Sequence, residues 1–230
     1  WYAWGTATMA ILLVRLTGLP ESLTTPLMVL FGFGFCVTAF IGYRGLELLS
    51  RFAVPAMIIL VAVSMTIATS DAGGFAGLMG ITPTENMTVA AAITLVFGTF
   101  VSGGTQATNW TRFAKSGKSA VIATLLAFFL GNGLMTLIGA FGALVYQQAD
   151  IVDIMVAQGL ATMGILMLFL NLWTTQDNTV YNFAVAGCNL VRTRRRQLVT
   201  VVGAAIGTVL AVLGMYEWLI PFLVLLGTFI

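Results

Sequence analysis

Long apolar runs recur along the whole chain with only short polar breaks between them, and this repetition restricts the fold more than any motif does. The runs fall at about residues 1 to 17, 26 to 43, 50 to 70, 87 to 111, 119 to 146, 154 to 190, 197 to 215 and 218 to 230. A hydrocarbon core about 30 Å thick is crossed by a helix of roughly 20 apolar residues. The pattern therefore predicts six full spans between two shorter ones. Charged residues make up 8% of the 230, against roughly a quarter in soluble domains. That supply cannot clothe a water-exposed surface, and the expected fold is a single all-α, polytopic transmembrane domain over residues 1–230.

Charge in the breaks tests the threading independently, because Lys and Arg are retained on the cytoplasmic side. Arg44 and Arg51 occupy one break, Arg112, Lys115 and Lys118 the next but one, and Arg192, Arg194, Arg195 and Arg196 the next but one again. The intervening breaks carry Glu21, then Asp71 and Glu85, then Asp150 and Asp153, then Glu217. This alternation places the loops around Arg44, Lys115 and Arg194 in the cytoplasm and the acidic ones outside. The "VRTRRR" cluster then reads as a topology anchor before it reads as a lipid or nucleic-acid patch. Residues 72 to 86, short and glycine-rich, are expected to form an outer loop with an interfacial turn.

Several chemistries are excluded early. Histidine is absent, which removes the commonest general base and zinc ligand. Cys36 and Cys188 lie in apolar surroundings with no partner spacing and suggest neither a disulfide framework nor a metal site. The chain opens on "WYAWGTATMAILL" and closes inside an apolar run, so a fragment of a longer transmembrane domain is expected, with helices missing on both sides.

Two segments concentrate polar groups inside apolar runs. In "FGTFVSGGTQATNWTRF", residues 97 to 113, Gly98, Gly103 and Gly104 interrupt the helix beside Ser102, Thr105 and Gln106. Unwound backbone inside a membrane is tolerated where it lines a cavity, and its freed N–H and C=O groups then bind a solute. The competing reading is a close helix–helix contact through small residues.

In "NLWTTQDNTVYN", residues 171 to 182, Asn171, Thr174, Thr175 and Asn178 recur at i, i+3, i+4 and i+7 and share one helix face. Their amide and hydroxyl oxygens suit a small hard cation or a polar solute. Asp177 stands off that stripe by roughly 100° and is the one acid deep in an apolar run. It is either functional, as intramembrane carboxylates generally are, or half of an ion pair with Arg112 or Lys115. Asn132 and Gln158 read as interhelical hydrogen-bonding groups. Trp1, Tyr2, Trp4, Trp110 and Tyr216 read as interfacial belt residues.

Over nearly its whole length the chain resembles the nucleobase:cation symporter family, and within it the bacterial cytosine permease group. The resemblance is carried by "SGGTQATNWTRF", "AFFLGNGLM", "DIVDIMVAQGL" and "LNLWTTQDNTVY". It implies the leucine-transporter fold, two inverted repeats of five helices, with this chain running from within helix 3 to the start of helix 10. The broken segment at 98 to 107 then corresponds to helix 6 and the polar stripe to helix 8.

By that resemblance Phe100 is the aromatic that stacks on a nucleobase, Ser102 lines the site, Asn171 hydrogen-bonds the base, and Trp1 covers its other face. Gly103 and Thr105 from the broken segment, and Asn178 from the stripe, complete the candidate substrate set. Thr174 and Thr175, with Asn171, are the candidate sodium ligands. The chain departs from the group's pattern at Gly103, Gln106 and Gln176.

The expectation is a secondary active transporter of the bacterial inner membrane that imports a nucleobase, cytosine first, by sodium-coupled symport with alternating access. Sodium is the coupling ion and no other cofactor is implied. Open alternatives are a permease of the same fold for a purine, uracil, hydantoin or allantoin, or one driven by protons. A non-transporting sensor and a membrane-embedded enzyme using Asp177 complete the set.

Overall fold

The structure is a computed structural model that describes residues 1–82, 88–90, 103–148 and 150–218. The helices are α1 (Tyr2–Thr17), α2 (Thr24–Gly34), α3 (Cys36–Ile41), α4 (Tyr43–Asp71), α5 (Gly74–Gly80), α6 (Thr108–Thr111), α7 (Gly117–Leu125), α8 (Gly133–Tyr146), α9 (Ile151–Ala157), α10 (Ala161–Leu190) and α11 (Arg196–Val212). A π-helical stretch, Leu126–Asn132, joins α7 to α8, and no strand occurs among the described residues.

Three segments among the described residues combine the length and apolarity of a membrane span: Glu21–Ile41, Tyr43–Asp71 and the stretch Gly117–Ala157. They mark a polytopic membrane protein. Of the six full spans expected from sequence, those at 26 to 43, 50 to 70 and 119 to 146 correspond to these three segments. Helix α10 has 30 residues, about 45 Å of rise, but its polar residues from Asn171 to Asn178 lower its hydropathy. Helix α11, at 17 residues, is a little short, and most of the run at 87 to 111 lies outside the described residues. Side chains such as Phe52, Ile58 and Ile59 of α4 stand more than 60% exposed, as lipid-facing residues do.

The apolar run at 154 to 190 divides in two. Gly159 adopts φ 75°, a left-handed conformation open to glycine at no steric cost, and the chain turns there between α9 and α10. Gly42, at φ 107°, likewise ends α3 and turns the chain into α4.

The chain forms two compact units. The first comprises residues 1–60 with 161–218, so that α1, α2, α3, the first part of α4, α10 and α11 pack together. Helix α1 lies against α2, α10 and α11, while α3 lies against α10 and α11. Their core joins Tyr2, Cys36, Ala39, Leu46, Val180, Tyr181 and Ala204, with a second cluster of Ala7, Ala10, Met28 and Ala211. Small residues bring these helices close, the usual device where lipid supplies no hydrophobic drive between them. Gly32 of α2 meets Thr208 of α11 so closely that a Cβ would overlap the Thr208 side chain.

The second unit holds the rest of α4 and α5 to α9. In it Gln158, just after α9, accepts from Ser64 Oγ at 2.8 Å and donates to Ser64 O at 2.9 Å and to Tyr146 Oη at 3.1 Å. Tyr146 in turn donates to Asp71 Oδ2 at 2.5 Å. Gln158 is thus the interhelical bonding group expected from sequence, and Asn132 ends the π-helical stretch. The segment at 72 to 86, expected as an outer loop with an interfacial turn, contains α5 in its described part. Phe75 and Met79 on α5 are 76% and 86% exposed, and their i, i+4 spacing puts them on one apolar face suited to a membrane interface.

Candidate functional site

Helix α10 is polar on two sides for two different reasons. One side is packed: Leu172, Gln176, Val180 and Ala184 recur every fourth residue and are buried, and Asp177 and Tyr181 lie beside them. The other carries Asn171, Thr174, Thr175 and Asn178, all half-buried, roughly 150° around the helix from the Leu172–Gln176–Val180 row at 3.6 residues per turn. The stripe read from sequence therefore forms a single face, continued by Met167 and Asn182, which are buried.

Hydrogen bonds preset part of this face. Thr174 Oγ1 donates to the carbonyls of Leu170 and Asn171, both at 3.0 Å, and Asn178 Nδ2 donates to Thr174 O at 2.7 Å. Directing its hydroxyl hydrogen back into the helix leaves the Thr174 oxygen lone pairs pointing outward as acceptors. The Asn178 amide likewise keeps its oxygen for another partner. A row of oxygen acceptors on a rigid helix is a donor set for a hard cation, or for the N–H groups of a polar solute.

On the packed side Asp177 is 1% exposed. Its Oδ2 accepts from Thr38 Oγ1 of α3 at 3.0 Å, and Thr38 Oγ1 accepts from Trp173 Nε1 at 3.2 Å. The side-chain partner described for Asp177 is thus a neutral hydroxyl. Asp177 Oδ1 has no partner among the described residues. Trp173 also belongs to an aromatic cluster with Phe31, Phe35 and Phe169, with ring centroids 5.2 to 6.4 Å apart.

Trp1 precedes α1, is 40% exposed, and meets Trp4 edge to face with centroids 5.7 Å apart. The first turn of α1 is fastened to α10, because Gln176 Nε2 donates to Tyr2 O at 2.5 Å and to Thr6 Oγ1 at 3.1 Å. Tyr2 Oη donates in turn to Gly32 O of α2 at 2.5 Å. Trp1, Asn171, Thr174, Thr175, Asp177 and Asn178 thus all belong to the first unit.

Gly103 and Thr105 belong to the second. There the amides of Gln106 and Ala107 bond back to the carbonyls of Gly103 and Gly104 at 3.1 and 3.2 Å. These three-residue steps mark a turn directly after Thr105, and helical geometry resumes at Thr108 in α6. Gly103 and Gly104 are themselves helical and the turn falls on Gln106 and Ala107, while residues 98 to 102 of the expected broken segment lie outside the described residues. Phe100 and Ser102 lie outside the described residues.

Sequence reading passed over two contacts. Arg196, counted there as a topology anchor, donates to Ala39 O at 2.6 Å and Phe40 O at 3.0 Å, satisfying carbonyls at the end of α3, and it lies over the Tyr181 ring. The other is the Gln176 tether to a backbone carbonyl 174 positions away, for which no local pattern gives a signal.

The whole chain, residues 1–230, matches the model of a family described as permeases for cytosine/purines, uracil, thiamine and allantoin. It is 38% identical over 211 residues to the cytosine permeases of Escherichia coli K12 and Escherichia coli O157:H7. The alignment covers 92% of this chain and 49% of each relative, so the chain spans about half the length of the curated relatives it matches.

Proposed function

On the premise that the chain belongs to the family of permeases for cytosine/purines, uracil, thiamine and allantoin, we propose that the protein imports a nucleobase, with cytosine as the first substrate. Membership of a permease family accords with a transporter and not with a membrane-embedded enzyme. The relatives are named cytosine permeases, and the observation that carries the proposal is the polar face of α10. Four oxygen-bearing side chains stand half-buried there along one side of the helix.

In this reading the Asn171 amide hydrogen-bonds the edge of the base and the Trp1 ring covers one of its faces. An aromatic contact of that kind is worth about 0.5 to 1.5 kcal/mol beyond burial. Sodium is the co-transported substrate, held by the Thr174 and Thr175 hydroxyl oxygens. The residues fit such an ion, since the Thr174 hydroxyl hydrogen is already committed to its own helix and its oxygen is free to ligate. Sodium bound one turn from Asn171 favours the conformation in which that amide receives the base, which couples the two by a shift of population. The fold proposed is that of the leucine transporter, with alternating access between its repeats.

Uptake of labelled cytosine into proteoliposomes, with and without a sodium gradient and against a panel of unlabelled heterocycles, tests the proposal. Asn171→Ala abolishes uptake, and Thr175→Ala raises the sodium concentration needed for half-maximal rate. Unchanged uptake in both variants refutes the assignment.

A further inference from the structure

Gln176 is fully buried, at 0% exposure, and buried amides are retained where their hydrogen bonds fix something. Its Nε2 makes two bonds to one turn of α1, to Tyr2 O and to Thr6 Oγ1. The same turn of α1 is shaped to receive it. A Cβ at Gly5 would lie 2.8 Å from Gln176 Cδ and 2.9 Å from Oε1, so the flat amide rests directly on the Gly5 backbone. Tyr2 extends the link by donating from Oη to Gly32 O, while its ring occupies the space beside Gly207 of α11. One side chain of α10 thereby sets the height and rotation of the first turn of α1 against α10. Trp1 is the residue immediately before that turn. Asn171 lies five positions from Gln176 on the same helix, about 7.5 Å along its axis.

We infer that Gln176 is a positioning residue for the base site, fixing through Tyr2 and Gly5 the placement of Trp1 relative to the Asn171 face of α10. The inference rests on the assignment of Trp1 and Asn171 to the base made above. Gln176 touches neither base nor cation; it acts through α1. Its loss therefore weakens base binding without altering the hydroxyls that hold sodium.

The experiment measures cytosine uptake kinetics of the full-length protein in proteoliposomes for Gln176→Met, Gly5→Ala and the double variant. Methionine keeps the length and bulk of glutamine and lacks the donor; Gly5→Ala displaces the amide while leaving Gln176 intact. Each single variant is expected to raise the KM for cytosine about tenfold, the scale of one buried hydrogen bond. Maximal rate and the sodium concentration for half-maximal rate change less than about twofold, a split that general loosening of the bundle does not produce. Because both substitutions break one link, the double variant is no worse than the poorer single variant. With cytosine uptake intact in the unsubstituted protein, an unchanged KM in both single variants, or fully multiplicative effects in the double variant, overturns the inference. No cytosine uptake by the unsubstituted protein overturns the proposed function, and this inference with it.

Discussion

Replacing Thr38 by Val removes one hydroxyl and with it the side-chain hydrogen bond described to the Asp177 carboxyl. Two bonds are lost, Thr38 Oγ1 to Asp177 Oδ2 at 3.0 Å and Trp173 Nε1 to Thr38 Oγ1 at 3.2 Å. Hydrogen bonds between helices in a membrane average about 0.6 kcal/mol because the opened state finds other partners. That average applies poorly at this place. Asp177 is 1% exposed and its other oxygen already lacks a partner, so the carboxyl has nowhere to turn, and a stranded buried polar group costs about 1 to 3 kcal/mol. The expected loss is about 2 to 3 kcal/mol. A chain of this size shifts by about 2 to 4 °C per kcal/mol, which puts the Tm of Thr38→Val about 4 to 12 °C below the parent. Thr38→Ser keeps the hydroxyl and gives up one methyl group, about 0.8 kcal/mol. Thermal unfolding of detergent-purified protein, followed by tryptophan fluorescence, separates the two. Equal Tm values for Val and Ser, or a Val variant within about 1 °C of the parent, refute the reasoning.

Other substitutions probe different parts of the account. Gly32→Ala forces a methyl group into Thr208 and destabilises by about 1 to 3 kcal/mol; adding Thr208→Ala recovers part of that loss, whereas additive Tm changes contradict the close approach of α2 and α11. Gln158→Leu breaks the bonds to Ser64 and Tyr146 and lowers stability by about 1 to 2 kcal/mol, read as a Tm shift and as faster amide exchange around α9. Arg196→Lys loses the planar fork that reaches Ala39 O and Phe40 O together. Faster proteolysis near Gly42 is the expected sign, and unchanged cleavage argues against the cap. For the threading, in a background lacking Cys36 and Cys188, a cysteine replacing Arg194 is labelled by an impermeant reagent only from the cytoplasmic side and one replacing Glu21 only from outside; the reverse result contradicts the charge alternation.

Much of the architecture was legible in the sequence because lipid imposes it. Apolar length predicts helices, and the i, i+3, i+4, i+7 recurrence of Asn171, Thr174, Thr175 and Asn178 predicts one polar face, which α10 has. The glycine pair at Gly103 and Gly104 predicts an interruption at that pair, but both glycines are helical and the turn comes at Gln106 and Ala107. What escaped are contacts whose second partner is backbone. Gln176 bonds to the Tyr2 carbonyl and Arg196 to those of Ala39 and Phe40, and a carbonyl carries no sequence signature. Asp177 was legible as unusual but its partner was not, since Thr38 is one of many threonines in apolar runs. The run at 154 to 190 divides at Gly159, whose positive φ closes α9 through local bonds from Gly159 N to Val156 O and Leu160 N to Met155 O, a glycine cap that the hydropathy pattern does not register.

The central claim is that one face of α10 holds base and sodium together. Cytosine affinity of the purified full-length protein, measured calorimetrically over a range of sodium concentrations, tests it most directly, because linkage requires each ligand to strengthen the other by the same factor. The account predicts that sodium tightens cytosine binding in the parent, that Thr175→Ala displaces this dependence to higher sodium, and that Asn171→Ala binds no cytosine. Cytosine affinity that stays constant across the sodium range would contradict it.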